Sequence, residues 1–224
     1  LLSNGSVSYT ITAPGSGARA DDPADCYLME VGPRYFETMK MPIVAGRGFS
    51  AQDERPVAEG ERPPVMKPGY LAGAPPLDAV VNRAMARHFF GGEDAVGKTF
   101  VQQGTGQRFN VIGVTHDAKY ASLREPAPFT YYLYHFQQAR RTPMMIQFRA
   151  NGEPADYAVA VQRLVREAAP QAQLISVRRM SDVVDESLVQ ERFIAQTAGA
   201  FSLFGLLLAC VGLYGVMSYT VTQR

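Results

Sequence analysis

The chain opens on a period of two. In SVSYTIT, residues 6–12, Val7, Tyr9 and Ile11 alternate with Ser and Thr, which predicts a half-buried strand. A loop of Gly, Ala, Asp and Pro runs from Ala13 to Asp25, and CYLMEV, residues 26–31, predicts a second strand. GPRYFETMK then changes the period. Pro33 suits a first helical turn behind Gly32, and Tyr35, Phe36 and Met39 share a face, so a short helix is expected that Pro42 keeps from extending. From Ser50 to Pro76 no period survives, and Pro, Gly, Ala and charge predict a surface loop, with a Pro-rich insertion at Arg55–Pro76. LDAVVN reads as a strand. NRAMARHFF reads as a helix capped by Asn82, apolar at Met85, Phe89 and Phe90, and stopped by Gly91-Gly92. Further strands are predicted at Thr99–Gln103, Phe109–Val114 and Thr130–Tyr134.

MMIQFRA, residues 144–150, predicts another strand. NGEP turns it into a helix with Pro154 early and Tyr157, Val161, Leu164, Val165 and Ala168 along one stripe; Pro170 closes that helix and LISVRR returns as a strand. Together they make a β-α-β unit of about 35 residues. Ser181 then offers an N-cap, with Asp182, Asp185 and Glu186 in or near the first turn, where the helix dipole favours anions. This helix is expected to run through Val189 and Phe193 into the apolar segment that follows.

That segment changes the picture most. Ala198 to Tyr219 carries no charge, and the uncharged window extends from Phe193 to Gln223, between Arg192 and Arg224. At about 1.5 Å per residue, such a helix spans roughly 33 Å, enough for a hydrocarbon core of about 30 Å. Gly199, Gly205, Gly212 and Gly215, with Ala200 and Ala209, suit close packing between membrane helices, and Tyr214 and Tyr219 suit an interface. A C-terminal span is not a signal peptide. With no starting Met and a single span close to the end, the sequence reads as a piece of a longer chain.

Charge adds little: 22 Lys and Arg against 21 Asp and Glu give a net of +1 over 224 residues, which points to no nucleic-acid partner. Cys26 and Cys210, far apart, suit neither a disulfide framework nor a zinc site.

One stretch looks like chemistry. Gly92-x-x-x-x-Gly97-Lys98-Thr99 satisfies the phosphate-loop pattern. Such a loop works when a strand delivers it and a helix follows, so that successive N–H groups and the helix dipole meet the phosphates. Here a helix precedes and the β-rich TFVQQ follows, while Glu93 and Asp94 bring negative charge into the loop. The match reads as a helix-to-strand turn with Lys98 facing water. His88, His116 and His135 fall on three separate elements without metal-ligand spacing, and His116-Asp117 has no nucleophile-elbow serine to serve. Arg140-Arg141 and Arg178-Arg179 read as solvated strand ends. The aromatics of YYLYHF (Tyr131, Tyr132, Tyr134, Phe136) read as core or interface ahead of a ligand platform, and Cys210 as packing. The reading therefore names no catalytic, cofactor-binding or metal residue.

Several phrases carry a resemblance: VGPRYFETMKMPIVAGRGFSAQDE, AVVNRAMARHFFGGEDAVGKTF, FNVIGVTHDAKYASLREPAPFTYYLY and GLLLACVGLYGVMSYTVTQR. In order and spacing they resemble the MacB-like extracytoplasmic domain joined to an FtsX-like permease span of bacterial ABC transporter permeases. Within that group they are similar above all to the second such domain of the long duplicated permeases called ADOP. The resemblance covers nearly all of residues 27–224. It implies an α+β fold with a split β-α-β, ferredoxin- or porter-like, membrane-proximal lobe (residues 1–49 and 142–181). It also implies an inserted β-rich lobe (50–141) and a stalk that continues into one transmembrane helix (182–224). It implies an upstream strand, helix and span beyond this sequence, and a GGEDAVGKTF turn that binds no nucleotide. By function it implies a permease subunit in the bacterial inner membrane, with residues 1–192 extracytoplasmic and Arg224 cytoplasmic. Such a subunit transmits conformational change from a separate cytoplasmic ABC ATPase; a second permease half or protomer and extracytoplasmic proteins are further partners. The alternative is a membrane-anchored interaction or regulatory domain without transport.

Overall fold

The computed structural model describes residues 7–15, 22–54, 69, 71–92, 94–118, 127–137, 146–152, 154–171, 179, 181–182, 196–199, 201–213 and 217. The chain divides into two units, Leu2–Tyr157 and Ala158–Arg224 with Leu1. The class is α+β.

In the first unit the strands are β1 (Val7–Thr12), β2 (Ala24–Val31), β3 (Ile43–Gly46), β4 (Leu77–Asn82), β5 (Thr99–Gln102), β6 (Arg108–Thr115) and β7 (Thr130–Tyr134). Helices α1 (Tyr35–Thr38) and α2 (Arg83–Phe90) lie between them. The sheet order is β3-β6-β4-β7-β2-β1-β5, and β5 also pairs with β6. Followed from β6 through β4, β7, β2, β1 and β5, the pairings return to β6, so six strands close a ring and β3 stands outside it.

β6 makes this closure possible. Its parallel partner β4 runs beside it from Phe109 to Thr115 and takes one whole edge. The other edge is divided: Arg108–Asn110 face β5, and Gly113–Thr115 face β3. At the seam between the two, Gly97 N–H donates to the Val111 carbonyl at 2.8 Å and Arg47 N–H to the Ile112 carbonyl at 3.0 Å.

Side-chain alternation sorts the core onto two faces. Ile11, Cys26, Ala79, Val81, Phe100, Phe109, Val111, Tyr131 and Leu133, one or two from each ring strand, form the inner cluster, and α2 adds Met85, Ala86, Phe89 and Phe90. Phe100 and Phe109 stack at 5.0 Å with Tyr131 edge-on to Phe100 at 5.4 Å, pairs worth about 0.5–1.5 kcal/mol each beyond burial. The outer cluster is Val31, Tyr35, Phe36, Val80 and Tyr132. β7 is buried on both faces along its whole length. That double burial is why TYYLY reads as a continuous aromatic run with no alternation.

The α2 expectation is met. Asn82 accepts from Met85 N–H, and Gly91 ends the helix in the left-handed conformation at φ 80°. Three expectations change. Pro33 lies in a turn ahead of α1, whose N-cap is Arg34 at φ 60°. The region read as loop from Ser50 begins with a 3-10 turn, Ala51–Asp53, closed by a capping box between Ser50 and Asp53. Residues 146–150 form no regular element where a strand was predicted over 144–150.

A 3-10 turn at Pro154–Tyr157 ends the first unit, and the second begins with α3 (Ala158–Ala168), none of whose residues is buried. The returning strand LISVRR falls outside the described residues save Arg179, and so does the stalk between Asp182 and Gln196. A helix over Gln196–Leu213 has a mean hydropathy of 1.7, long and apolar enough by length and composition to cross a membrane.

Candidate functional site

The phosphate-loop match sits where sequence order placed it. α2 ends at Phe90, residues 94–97 turn, and β5 starts at Thr99. Helix-then-strand is the reverse of the order that aims N–H groups at an anion. Two of the turn's own donors are spent: Gly97 N–H on the Val111 carbonyl at 2.8 Å and Lys98 N–H on the Ala95 carbonyl at 3.1 Å. Lys98 does not simply face water. Its side chain is one-third exposed, its Nζ donates to the Phe90 carbonyl at 3.5 Å, and it lies 6.0 Å from the centre of the Phe90 ring and 3.8 Å from Asp94. It caps the end of α2, where a cation complements the last free carbonyls.

The histidines stay on three elements. His88 on α2 is stacked on Phe129 at 4.6 Å and edge-on to Phe89 at 4.7 Å. His135 follows β7 and its Nδ1 lies 3.2 Å from a Glu30 carboxylate oxygen. His116 is exposed after β6. Its neighbour Asp117, which with His116 imitates part of a triad, accepts from Ala84 N–H at 2.8 Å and so serves the first turn of α2. Tyr131 and Tyr132 are fully buried core, and Tyr134 nearly so. Arg140, Arg141 and Arg178 lie outside the described residues; Arg179 is exposed. Cys26 is buried, and desolvation first, then the nearby Asp25 charge, pushes its thiol up to about 12. Cys210 is exposed on the apolar helix.

The best polar constellation went unnoticed in the sequence. Arg47 Nη1 and Nη2 donate to the two Asp53 carboxylate oxygens, both at 2.7 Å, while Ser50 N–H and hydroxyl also donate to Asp53 at 2.7 and 3.1 Å. Asp53 is buried and Arg47 half-exposed. The Arg47 hydrogen bonds, helped by those from Ser50, hold the Asp53 carboxyl below its ordinary range against the opposing effect of burial. Beside this pair an open hollow of about 650 Å³ lies along the divided edge of β6, between Gly46-Arg47, Val96-Gly97 and Asn110. The guanidinium there is already matched by Asp53, so the hollow presents no unmatched cation from that pair.

Two further buried polar side chains bond to backbone. Asn82 Oδ1 accepts from Met85 N–H and Thr130 N–H at 3.0 and 3.1 Å, and its Nδ2 donates to the Pro128 carbonyl at 2.8 Å. Gln137 accepts from Asp78 N–H at 3.0 Å and donates to the Asp78 carbonyl at 3.3 Å, standing in for a strand partner beside β4.

No curated protein matches the chain. Among solved structures, the chain is similar to the extracellular domain of the noncanonic ABC-type transporter YknZ from Gram-positive bacteria: 19% identity, 58% of this chain, 51% of that one, TM-score 0.37. The periplasmic region of MacB from Actinobacillus actinomycetemcomitans gives 14% identity, 82% and 72% coverage, and TM-score 0.49. A domain of a putative permease from Porphyromonas gingivalis gives 11%, 71% and 65%, and 0.42. The chain thus spans about half of the YknZ domain, and these distant likenesses carry no argument about residues. The family comparison is of another kind: the model of the MacB-like periplasmic core domain matches residues 5–173, most of the chain, including the whole seven-stranded sheet. By that match, the chain belongs to the MacB-like periplasmic core domain family.

Proposed function

We propose that this chain is the extracytoplasmic domain and following membrane span of a permease subunit in a MacB-type ABC transporter. It moves in response to ATP hydrolysed by a separate cytoplasmic ATPase. The observation that carries this is the order of two features: a MacB-like core domain over residues 5–173, then an apolar helix at Gln196–Leu213. At 18 residues that helix is about 27 Å long, within the range of bilayer spans. On this reading residues 1–192 lie outside the bacterial inner membrane and Arg224 in the cytoplasm. Residues 1–49 with 142–181 form the membrane-proximal lobe, in a split β-α-β arrangement, and 50–141 the inserted one. Because β1–β3 and β4–β7 share one sheet, the boundary near residue 49 is then a seam within that sheet.

The polar chemistry of the domain favours a mechanical role. Asn82, Gln137, Lys98 and Asp117 bond to backbone, and Asp53 to Arg47 and Ser50, which stiffens the fold and leaves these groups engaged. A transmitter needs that stiffness.

The test is to purify the full-length protein from its native membrane in mild detergent. Co-purification of an ABC-type ATPase in fixed stoichiometry, with vanadate-sensitive ATP hydrolysis, is the expected result. Isolation with an extracytoplasmic partner and no ATPase would instead favour an anchored interaction domain without transport.

A further inference from the structure

We propose that Arg149 is a latch residue: with Thr38, Asn151 and Tyr157 it fastens the strap by which the chain leaves the sheet unit. Arg149 Nε and Nη2 both donate to the Thr38 carbonyl, at 3.0 and 2.7 Å, across 111 residues of sequence. Thr38 is the last residue of α1. Carbonyls at a helix end have no intrahelical donor, so this is a place where a guanidinium from elsewhere can bind.

The receiving end is rigid. α1 is a single turn whose Tyr35 and Phe36 are buried, with ring centres 6.1 and 5.1 Å from that of Tyr132 on β7. Arg34 and Lys40 flank it at φ 60° and 54°, left-handed conformations that non-glycine residues keep only where their surroundings impose them. The departing end closes on itself. Past Arg149 the chain turns through Gly152 at φ 106°, and the Tyr157 hydroxyl donates to the Asn151 carbonyl at 2.8 Å. Tyr157 is the final residue of the first unit, and α3 begins at the next position. The segment is therefore fastened to α1 at Arg149, on the β7 side of the sheet, and closed on itself at the point of exit by the Tyr157–Asn151 bond. Motion passing along the backbone between the two units runs through this strap; that purpose rests on the transport reading, whereas the latch itself does not.

Hydrogen–deuterium exchange on the full chain in detergent micelles or nanodiscs tests it, with no ATPase present, so its failure leaves the transport reading standing. In Arg149→Ala, amides of Asp156 and Tyr157 in the 3-10 turn and of Met39–Met41 are expected to exchange about fivefold faster or more, with those of β4, β6 and β7 unchanged. Arg149→Lys, which keeps the charge but loses the two-pronged donation, should fall between Arg149→Ala and wild type. Tyr157→Phe should accelerate positions 156 and 157 of the 3-10 turn alone. Exchange within twofold of wild type in Arg149→Ala would overturn the proposal. So would equal acceleration of the strands and the strap in both Arg149 variants, because the effect would then be global.

Discussion

Gly46 and Gly113 face each other across the β3–β6 pairing at a separation that leaves no room for a side chain. A Cβ on Gly46 would lie 2.2 Å from the Ile112 carbonyl oxygen, and one on Gly113 would lie 2.2 Å from that of Arg47. Both obstacles are backbone, so neither can swing away. Gly46 also has φ 69°, which adds strain for any other residue. Gly113→Ala is expected to destabilise the protein by about 2–4 kcal/mol through loss of the β3 pairing. Chemical denaturation of the two proteins measures this. A change below about 0.5 kcal/mol would show that the seam opens without cost.

Asp53 makes stability depend on acid in a set direction. Its carboxyl is held below the ordinary value, chiefly by Arg47, so its contribution is fully present above the usual carboxylate range near pH 4. That contribution fades as pH falls through the lowered value. Asp53→Asn should therefore cost about 1–2 kcal/mol at pH 7, a modest figure because Arg47 is half-exposed. The gap between mutant and wild type should close as the pH drops below about 4. Urea titrations at several pH values check both the size and the closing of the gap.

Asn82 does two jobs in one side chain, and its loss should exceed that of a plain helix cap. A cap alone is worth about 1 kcal/mol, and orphaning the buried Thr130 N–H adds about 1–3 kcal/mol. Asn82→Ala is expected to lose about 2–4 kcal/mol, with α2 and the start of β7 exchanging amide protons faster together. Separate, uncoupled changes in the two elements would contradict this.

Lys98 separates mimicry from chemistry. Lys98→Ala should cost less than about 1 kcal/mol, the loss of one partly exposed cap on α2. Calorimetric titration of Mg-ATP into the wild-type protein should show no saturable site that the substitution removes.

How far the sequence foretold these sites depends on whether the signal was local. Asn82, Met85, Phe89, Phe90 and Gly91 wrote a helix with a start and a stop, and α2 has both. β3 left no such mark. Ile43–Gly46 is four residues without alternation, behind Pro42, and it exists because Gly113 lets a neighbour approach. The capping box at Ser50 and Asp53 was legible as Ser-x-x-Asp, yet the Pro- and Gly-rich stretch beyond obscured it. Its partner Arg47 and the divided edge of β6 depend on which strands meet, which no local period encodes. Lys98 failed differently: its spacing matched a functional pattern, and only the elements on either side revealed a cap.

The central claim, a MacB-like domain held outside the membrane by its apolar helix, is tested most directly by sided cysteine labelling of the full-length protein in its native membrane. Gln103 is exposed in the β5–β6 turn, so Gln103→Cys reports on the domain once Cys210 is replaced by Ser. Cys26 stays silent, being buried with its thiol pushed up to about 12. The account predicts that a membrane-impermeant maleimide labels Gln103→Cys in intact spheroplasts as fully as after lysis. Labelling only after the membrane is opened would contradict it.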